Sequence, residues 1–325
     1  MRCQSLPVTS RKTQTFALRA RLNAFSAAPA TVEGMTKLLA VDGTNLLYRS
    51  YHALSASGLS HAGRPVWAVH GLVLQLAKAI EHVCPSHVVV AFDTPGGCPA
   101  RREIDPGYKA TRTSPSEDLA VQLSWAPAVL RQIGVSAIET PGWEADDLLA
   151  SAVNAASATG ASSVIVTSDR DAYQLLGEDV TLRTPDEKTV TVESLMESHG
   201  VSPAGYAVLA ALRGEPSDNL PGVPGVGPKI AARLVTRFGS LDAISTASDE
   251  ELLTVVGAKT LTSLRENLHL AKRSAQVATL RRDLPVDIDA AHLAALDPVK
   301  VAERLNQLGL ASAGRRLGAA LTALR

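Results

Sequence analysis

The chain has 325 residues, of which 46% are hydrophobic and 20% charged, a balance that is typical of globular domains and excludes wholesale disorder. Its 32 basic and 32 acidic residues cancel, so net charge alone argues against a simple polyanion-binding protein. No apolar run reaches the ~18 residues of a membrane-spanning helix, and the three cysteines lack the spacing of a zinc site or a disulfide framework. The sequence therefore indicates about two domains in a reducing compartment.

The first 34 residues contain five basic and one acidic side chain and are rich in Ser, Thr and Ala. This composition is typical of an organelle transit peptide. The alternative is an upstream start codon assigned to a reading frame that begins at Met35. We favour the alternative because the stretch has poor periodicity, and either interpretation leaves residues 1–34 outside the predicted fold.

From Met35 onward, short apolar runs alternate with helical patterns. The apolar runs predict buried strands at 37–41, 87–92, 135–139, 163–167 and 180–184. The helical patterns lie at 67–83, 117–133 and 146–158, with Pro127 predicting a break or kink. This alternation predicts an α/β domain with a mostly parallel sheet over about 35–200. Beyond 201 the strands stop, and Gly- and Pro-punctuated helices predict a second, helical region over 201–325.

Three of the predicted strands are followed by an aspartate, namely Asp42, Asp93 and Asp169. Ligands of open α/β sheets bind outside the carboxyl ends of the strands, so parallel neighbours would bring these carboxylates to one edge. One such aspartate is more often a helix cap or a turn residue. Three at equivalent positions favour a shared site.

More acids lie close to these positions in the sequence. They are Glu144, Asp146 and Asp147 at the start of a helix, Asp171 after the third strand, and Glu215 and Asp218 in a later turn. Acids in a first helical turn also favour the helix dipole, but two would suffice for that. So many carboxylates at one edge need a counter-charge, and oxygen ligands select Mg²⁺ or Mn²⁺ over zinc. The pattern predicts two or more such ions, an arrangement that suits phosphodiester hydrolysis.

A basic stretch at 101–112 surrounds one aromatic side chain, Tyr108. Its cations are Arg101, Arg102, Lys109 and Arg112. A solvated loop is the commoner fate of such a run. The functional interpretation is a segment that grips phosphates and stacks a base on Tyr108. Arg49, which closely follows the first strand, is a further candidate for contact with the same substrate.

A glycine-rich segment, PGVPGVGPK at 221–229, lies between two predicted helices and contains Gly222, Gly225, Gly227 and Lys229. It is neither a P-loop, which needs Gly-Lys-Ser/Thr, nor a dinucleotide fingerprint, which follows a strand. An ordinary tight turn is one interpretation, and a phosphate site built on backbone N–H groups is the other. Residues 207–282 carry ten basic and seven acidic side chains, a mild bias consistent with DNA backbone binding.

Six motifs occur along the chain in the order LAVDGTNLLYRSYHAL, VVVAFD, RREIDPGYKATR, WEADDLLA, VTSDRDAYQLL and GEPSDNLPGVPGVGPK. Together they resemble the bacterial 5′–3′ exonuclease, or flap endonuclease, family, which also forms the N-terminal nuclease domain of many bacterial DNA polymerases I. The resemblance runs from about Lys37 to about Asp287. Because no polymerase domain follows in the sequence, it implies a free-standing member.

The resemblance implies a PIN-like (Rossmann-like) sheet with flanking helices and a helical arch at about 97–118. It also implies a DNA-binding element of the helix-hairpin-helix type (helix–three-turn–helix) at about 207–245. Two departures from the family pattern stand out. Glu215 lies where the family usually has Asp, so we expect weaker binding of the second metal ion. Pro106 and Gly107 oppose helix formation within the arch.

The resemblance also implies residue roles. The acids that it implies as metal ligands are Asp42, Asp93, Glu144, Asp146, Asp147, Asp169, Asp171 and Asp218, with Glu215 as a further candidate. It implies that Arg49, Lys109 and Arg112 act on the 5′ strand and the scissile phosphate. The DNA contacts that it implies are Arg101, Tyr108, Lys109, Arg112, Gly222, Gly225, Gly227 and Lys229, with K⁺ at the glycine hairpin.

The implied activity is hydrolysis of DNA at a 5′ flap, a nick or a free 5′ end, in primer and flap removal during replication and in DNA repair. The implied protein is a monomer of the bacterial cytoplasm, associated with the nucleoid, that acts with a DNA polymerase in trans. Two other interpretations stay open: a PIN-like ribonuclease, and a non-catalytic, structure-specific DNA-binding protein whose chemistry is lost with Glu215. The missing phosphate-loop lysine pattern disfavours a nucleotide-dependent enzyme.

Overall fold

The computed structural model describes residues 36–325, which form one compact unit. Residues 1–35 lie outside the described part of the chain, so the interpretation of residues 1–34 stays a prediction. Among the helices of the described part, none combines the length and the apolar character needed to cross a membrane.

A six-stranded sheet organises the first half of the described chain. Its strands are β1 (Lys37–Asp42), β4 (His87–Ala91), β5 (Ser136–Ile138), β6 (Ser162–Val166), β7 (Val180–Arg183) and β8 (Thr189–Val190). They lie in the order β5-β4-β1-β6-β7-β8, all parallel except that β8 runs antiparallel to β7. A separate antiparallel pair comprises β2 (Ser60–His61) and β3 (Arg64–Pro65). β1 is central, so its carboxyl end has β4 and β6 on either side.

Six helices accompany the sheet and seven follow it within residues 36–325. The first group is α1 (Gly43–Leu54), α2 (Trp67–Val83), α3 (Pro99–Ile104), α4 (Glu117–Gln132), α5 (Ala145–Ala158) and α6 (Val192–His199). The second group is α7 (Tyr206–Arg213), α8 (Pro228–Phe238), α9 (Leu241–Thr246), α10 (Asp249–Leu253), α11 (Ala258–Ala278), α12 (Pro298–Gln307) and α13 (Ala311–Ala323). Pro127 lies inside α4 and does not end it, so the predicted break is absent there.

Hydrophobic clusters cover both faces of the sheet. Because side chains alternate along a strand, Leu38 faces a cluster that includes α5 and α7, whereas Leu39 faces a cluster that includes α2 and α13. Leu317 of α13 belongs to the same cluster as Leu72 of α2, so the C-terminal helices pack back onto the first half. The sheet is thus buried on both faces. At the carboxyl ends of its central strands Asp42 is buried, whereas Asp93 and Asp169 are exposed.

The predicted fold class is confirmed: a mostly parallel sheet with flanking helices precedes a helical region. Within the segment predicted as an arch, 97–118, α3 ends at Ile104 and a series of turns follows. The chain reverses there through Tyr108, whose N–H donates to the Asp105 carbonyl at 2.9 Å. Pro106 and Gly107 lie inside this turn, in keeping with their opposition to helix.

Candidate active site

The three strand-end aspartates lie at one edge of the sheet, because β4, β1 and β6 are neighbours. Asp42 ends β1 and caps α1: its Oδ1 accepts the Asn45 N–H at 2.9 Å, and its Oδ2 accepts the Thr167 hydroxyl at 2.9 Å. Asp93 accepts the Ala145 N–H at 2.7 Å, which ties the end of β4 to the start of α5. Parallel topology therefore brings residues distant in sequence to one place.

The acids line a cleft that we call the carboxylate cleft. Its main part, a cavity of about 610 Å³, is lined by Asp42, Asp93, Glu144, Asp146 and Asp169 together with Lys109, Arg112 and Tyr48. An adjoining part of about 300 Å³ is lined by Asp169, Asp171, Glu215 and Asp218. Eight of the nine predicted acids thus line this cleft.

The cleft holds more negative charge than its own cations balance. Burial, and secondly the nearby Asp93 carboxylate, raise the pKa of Asp42 to about 8. Loss of hydration within the cleft raises the pKa of Asp169, and that of Asp171 still further, where the adjacent Asp169 charge adds to the effect. An all-oxygen donor set with unbalanced negative charge fits hard divalent cations such as Mg²⁺ or Mn²⁺. Among residues 36–325, no three Asp, Glu, His or Cys side chains already lie close enough together to hold a metal ion.

Asp147 differs from its predicted role as a metal ligand. Its side chain is fully buried beneath the cleft, where Oδ1 accepts Arg101 Nη2 and the Arg281 N–H at 2.8 and 2.9 Å. Burial, and then the Asp146 charge, raise the pKa of Asp147 to about 6. The cause is the capping box of α5, in which Asp147 turns back toward the Glu144 N–H rather than outward. Asp147 therefore supports the cleft wall.

Arg101 was predicted to contact DNA, and the structure places it elsewhere. It is only 5% exposed; its Nη1 pairs with Glu144, and its Nε donates to the Val277 carbonyl of α11 at 2.9 Å. Burial alone would lower the pKa of Arg101, but the charges of Asp146 and Asp147 outweigh it and raise the pKa. The guanidinium is thus an internal counter-ion, inaccessible to a phosphate backbone.

Tyr108 also departs from its predicted role as a platform for base stacking. The side chain is 5% exposed and packs in a small cluster with Leu220 and Val277. Its hydroxyl donates to Glu144 Oε2 at 2.7 Å. A ring enclosed on this scale has no free face for a base, so Tyr108 joins the basic stretch to the C-terminal region.

Lys109 and Arg112 are the cations of the basic stretch that line the carboxylate cleft. Lys109 Nζ lies 2.8 Å from Glu144 Oε1, and Arg112 Nη2 lies 2.7 Å from Asp218 Oδ1. Arg49 is exposed on α1 but is not among the residues that line the cleft. Two of the three predicted phosphate-handling cations therefore face the acids.

The glycine hairpin at 222–227 joins α7 to α8 and borders an open cavity of about 480 Å³. A Cβ on Gly222 would lie 2.3 Å from the Arg213 carbonyl oxygen, so only glycine fits there. Gly225 has a φ of +83°, Gly227 precedes the first turn of α8, and Lys229 is exposed within that turn. The hairpin thus presents its backbone and one cation to solvent.

Thr44 and Asn45 also line the cleft, although the sequence reasoning did not single them out. Thr44 Oγ1 accepts the Asp93 N–H at 2.8 Å. Asn45 Oδ1 accepts the Ser168 hydroxyl at 2.8 Å. These contacts tie the ends of β1, β4 and β6 together. The sequence feature that could have identified both residues is their position directly after Asp42, at the start of α1.

Known protein families match both the sheet-containing part and the helical part of this chain. Residues 37–200 match the family model described as "5′-3′ exonuclease, N-terminal resolvase-like domain", and residues 201–300 match "5′-3′ exonuclease, C-terminal SAM fold". The chain belongs to the 5′–3′ exonuclease family. The resemblance that the six motifs carried is therefore confirmed.

Relatives of known sequence include DNA polymerase I of Mycobacterium bovis, 36% identical over 267 residues, and the thermostable DNA polymerase I of Thermus aquaticus, 37% identical over 255 residues. These alignments cover 80% and 78% of this chain, but only 29% and 30% of the relatives. The chain thus spans under a third of the length of these two relatives.

Solved structures with a similar fold include the T5 D15 protein co-crystallised with metal ions, with a TM-score of 0.63 and 20% identity, covering 89% of this chain and 99% of the other. The catalytic core of Rad2 in complex with DNA substrate has a TM-score of 0.53 and 18% identity, covering 95% and 99%. At these identities the comparison establishes the fold.

Proposed function

We propose that this member of the family is a 5′–3′ exonuclease and structure-specific 5′-flap endonuclease that hydrolyses DNA phosphodiester bonds with divalent metal ions. One observation carries the proposal. Five carboxylates from β1, β4, β6 and the start of α5 line the cleft into which Lys109 and Arg112 also project. Acids that attract metal ions and cations that attract phosphate thus share one cavity.

The oxygen donors of the cleft fit Mg²⁺ or Mn²⁺. Asp42, Asp93, Asp146 and Asp169 would hold one ion or share two, with Asp171, Asp218 and Glu215 in the adjoining part. When bound, such ions supply an activated water and stabilise the leaving oxygen. The T5 D15 protein, which has the same fold, was crystallised with metal ions, and this supports the assignment.

Lys109 and Arg112 would bind the scissile phosphate and stabilise the charge that develops on its oxygens. Lys109 is 20% exposed and Arg112 52% exposed at their side chains, so both reach a ligand in the cleft. The hairpin at 222–227 and Lys229 would bind the backbone of the duplex, with K⁺ at the hairpin carbonyls. Rad2, of the same fold, was solved with its DNA substrate, which supports a DNA partner.

The proposed setting is primer or flap removal in replication and DNA repair, by a monomer in the bacterial cytoplasm that associates with the nucleoid and works with a DNA polymerase in trans. This part of the proposal rests on the family and on its bacterial polymerase relatives.

The test is cleavage of a 5′-flap duplex, a nicked duplex, single-stranded DNA and a flapped RNA, each with Mg²⁺, Mn²⁺ or EDTA. We expect metal-dependent cleavage of the DNA flap, and its loss when Asp146 and Asp169 are both changed to Ala. Asp186→Ala, on an exposed turn, is the matched control and should cleave normally. Preference for RNA would favour the ribonuclease interpretation. Tight flap binding in EDTA without cleavage in Mn²⁺ would favour a non-catalytic DNA-binding protein.

A further inference from the structure

The turn that carries Lys109 is held by the loop that precedes the glycine hairpin. We call residues 214–220 the acidic loop. Its Asp218 carbonyl accepts the Lys109 N–H at 2.9 Å, and Asn219 Nδ2 donates to the Gly107 carbonyl at 2.8 Å. Two consecutive residues thus bind the backbone on both sides of Tyr108.

Where the turn at 107–109 meets the acidic loop, one residue on each side has an unusual backbone conformation that neighbouring contacts must stabilise. Lys109 has a φ of +53° and Asn219 a φ of +57°, both in the left-handed region. A lysine has no side chain that stabilises this conformation locally, whereas asparagine tolerates it well. The Lys109 conformation therefore depends on its neighbours, and the contacts with Asp218 and Asn219 supply that constraint.

The acidic loop is rigid enough to impose the conformation. Its ends are paired, with the Glu215 and Leu220 backbones exchanging two hydrogen bonds of 3.0 Å. The next residues are fixed as well, because Val223 N–H donates to the Leu212 carbonyl at 2.9 Å and Gly222 packs directly on the Arg213 backbone. The glycine hairpin thus fixes one end of the acidic loop, and the other side of that loop holds the turn at Lys109.

We propose that Asn219 is a positioning residue for Lys109: its amide fixes the turn at 107–109 so that the Lys109 ammonium points into the carboxylate cleft. This inference rests on the proposed function, and it adds a link between the duplex-binding hairpin and the phosphate-binding cation. Asn219 itself lies outside the residues that line the main cleft, so it acts through Lys109.

Two substitutions test the side-chain amide of Asn219 separately from the backbone conformation at this position. Asn219→Gly keeps the left-handed backbone and removes the donor, whereas Asn219→Asp places an acceptor against the Gly107 carbonyl. Loss of one such hydrogen bond predicts a fall in kcat of about fivefold to tenfold for Asn219→Gly, and a larger fall for Asn219→Asp. KM for the flap substrate should change less than about twofold. Asn306→Asp, on the exposed face of α12, is the control for the change in charge.

A double-mutant cycle separates positioning from a general structural role. In a Lys109→Ala background, Asn219→Gly should have almost no further effect on kcat. An equal loss in both backgrounds, or no loss in either, would overturn the inference while leaving the proposed function intact.

Hydrogen exchange gives a readout that does not need activity. The Lys109 N–H donates to the Asp218 carbonyl within the turn that the Asn219 amide holds through the Gly107 carbonyl. Asn219→Gly removes that amide and loosens the turn, so the peptide over 105–112 should exchange about tenfold faster than in the wild-type chain. Unchanged exchange would refute the positioning role. If the wild-type protein does not cleave any flap substrate, the proposed function fails, and the exchange measurement still decides the role of Asn219.

Discussion

Arg101 is the internal counter-ion of the carboxylate cleft, and its removal is expected to destabilise the fold. Arg101→Met keeps the length of the side chain and removes the charge and its donors. The change leaves Asp147, which is fully buried, with only backbone donors, and it leaves the Val277 carbonyl without its partner. Glu144 is less affected, because Lys109 and Tyr108 still donate to it.

The expected loss in the free energy of unfolding follows from these contacts. The bond to the neutral Val277 carbonyl contributes about 1 kcal/mol, and the charge-assisted pair with Asp147 contributes about 1.5–3 kcal/mol. Breaking a buried ion pair from one side costs about 3–5 kcal/mol in total, since the remaining charge stays buried. We therefore expect the free energy of unfolding to fall by about 3–5 kcal/mol, and Tm by roughly 10 °C.

The assay is urea unfolding in EDTA, followed by circular dichroism. Arg102→Ala is the matched control: its side chain is exposed on the same helix and donates to the Gly96 carbonyl, so a change under about 1 kcal/mol is expected. Adding Asp147→Asn to Arg101→Met should recover part of the loss, because the uncompensated charge is gone. A cost below about 1 kcal/mol for Arg101→Met, or no recovery in the double variant, would show that Arg101 is not the counter-ion that stabilises Asp147.

Three further predictions concern the cleft and the hairpin. Gly222→Ala should lower the free energy of unfolding by about 2 kcal/mol in urea titrations, because the new Cβ meets the Arg213 backbone, whereas Gly227→Ala has open space and should cost under about 1 kcal/mol. Lys109→Ala should lower kcat on a 5′-flap substrate by about 10²-fold with little change in DNA affinity. Lys300→Ala, whose side chain is exposed on α12, should leave both unchanged. Equal kcat values for the wild-type chain and Lys109→Ala would show that Lys109 takes no part in the chemistry. Glu215→Asp should lower the Mg²⁺ concentration needed for half-maximal cleavage several-fold, since the shorter side chain leaves its pairing with Arg213; an unchanged requirement would show that the extra methylene has no effect.

The convergence of the strand-end carboxylates was accessible to sequence reasoning. Apolar strands that alternate with helices give a parallel sheet, and the residues after neighbouring parallel strands must share an edge. Asp42, Asp93 and Asp169 follow this rule because β1 lies between β4 and β6. The two-residue strands β2, β3 and β8 were missed, since so short a segment carries no periodicity.

The roles of individual cations and acids were not accessible in the same way. Asp146 and Asp147 have the same chemistry and adjacent positions. Asp147 turns inward through the capping box of α5 and is held there by Arg101 and the Arg281 N–H, so Asp146 is the one that faces the cleft. Arg101 and Lys109 belong to one basic stretch, but α3 packs on α11 and takes Arg101 inside with it. Such choices depend on tertiary contacts between segments more than a hundred residues apart, which local pattern does not encode.

The most direct test of the carboxylate cleft as a metal site is equilibrium binding of Mn²⁺ to the 325-residue chain, measured by calorimetry without DNA. We predict saturable binding of at least one ion, a metal-dependent rise in Tm, and an affinity weakened at least about tenfold when Asp42 and Asp169 are both changed to Asn. Saturable binding of equal strength in that variant, or none in the wild-type protein, would contradict the assignment of the carboxylate cleft as a metal site.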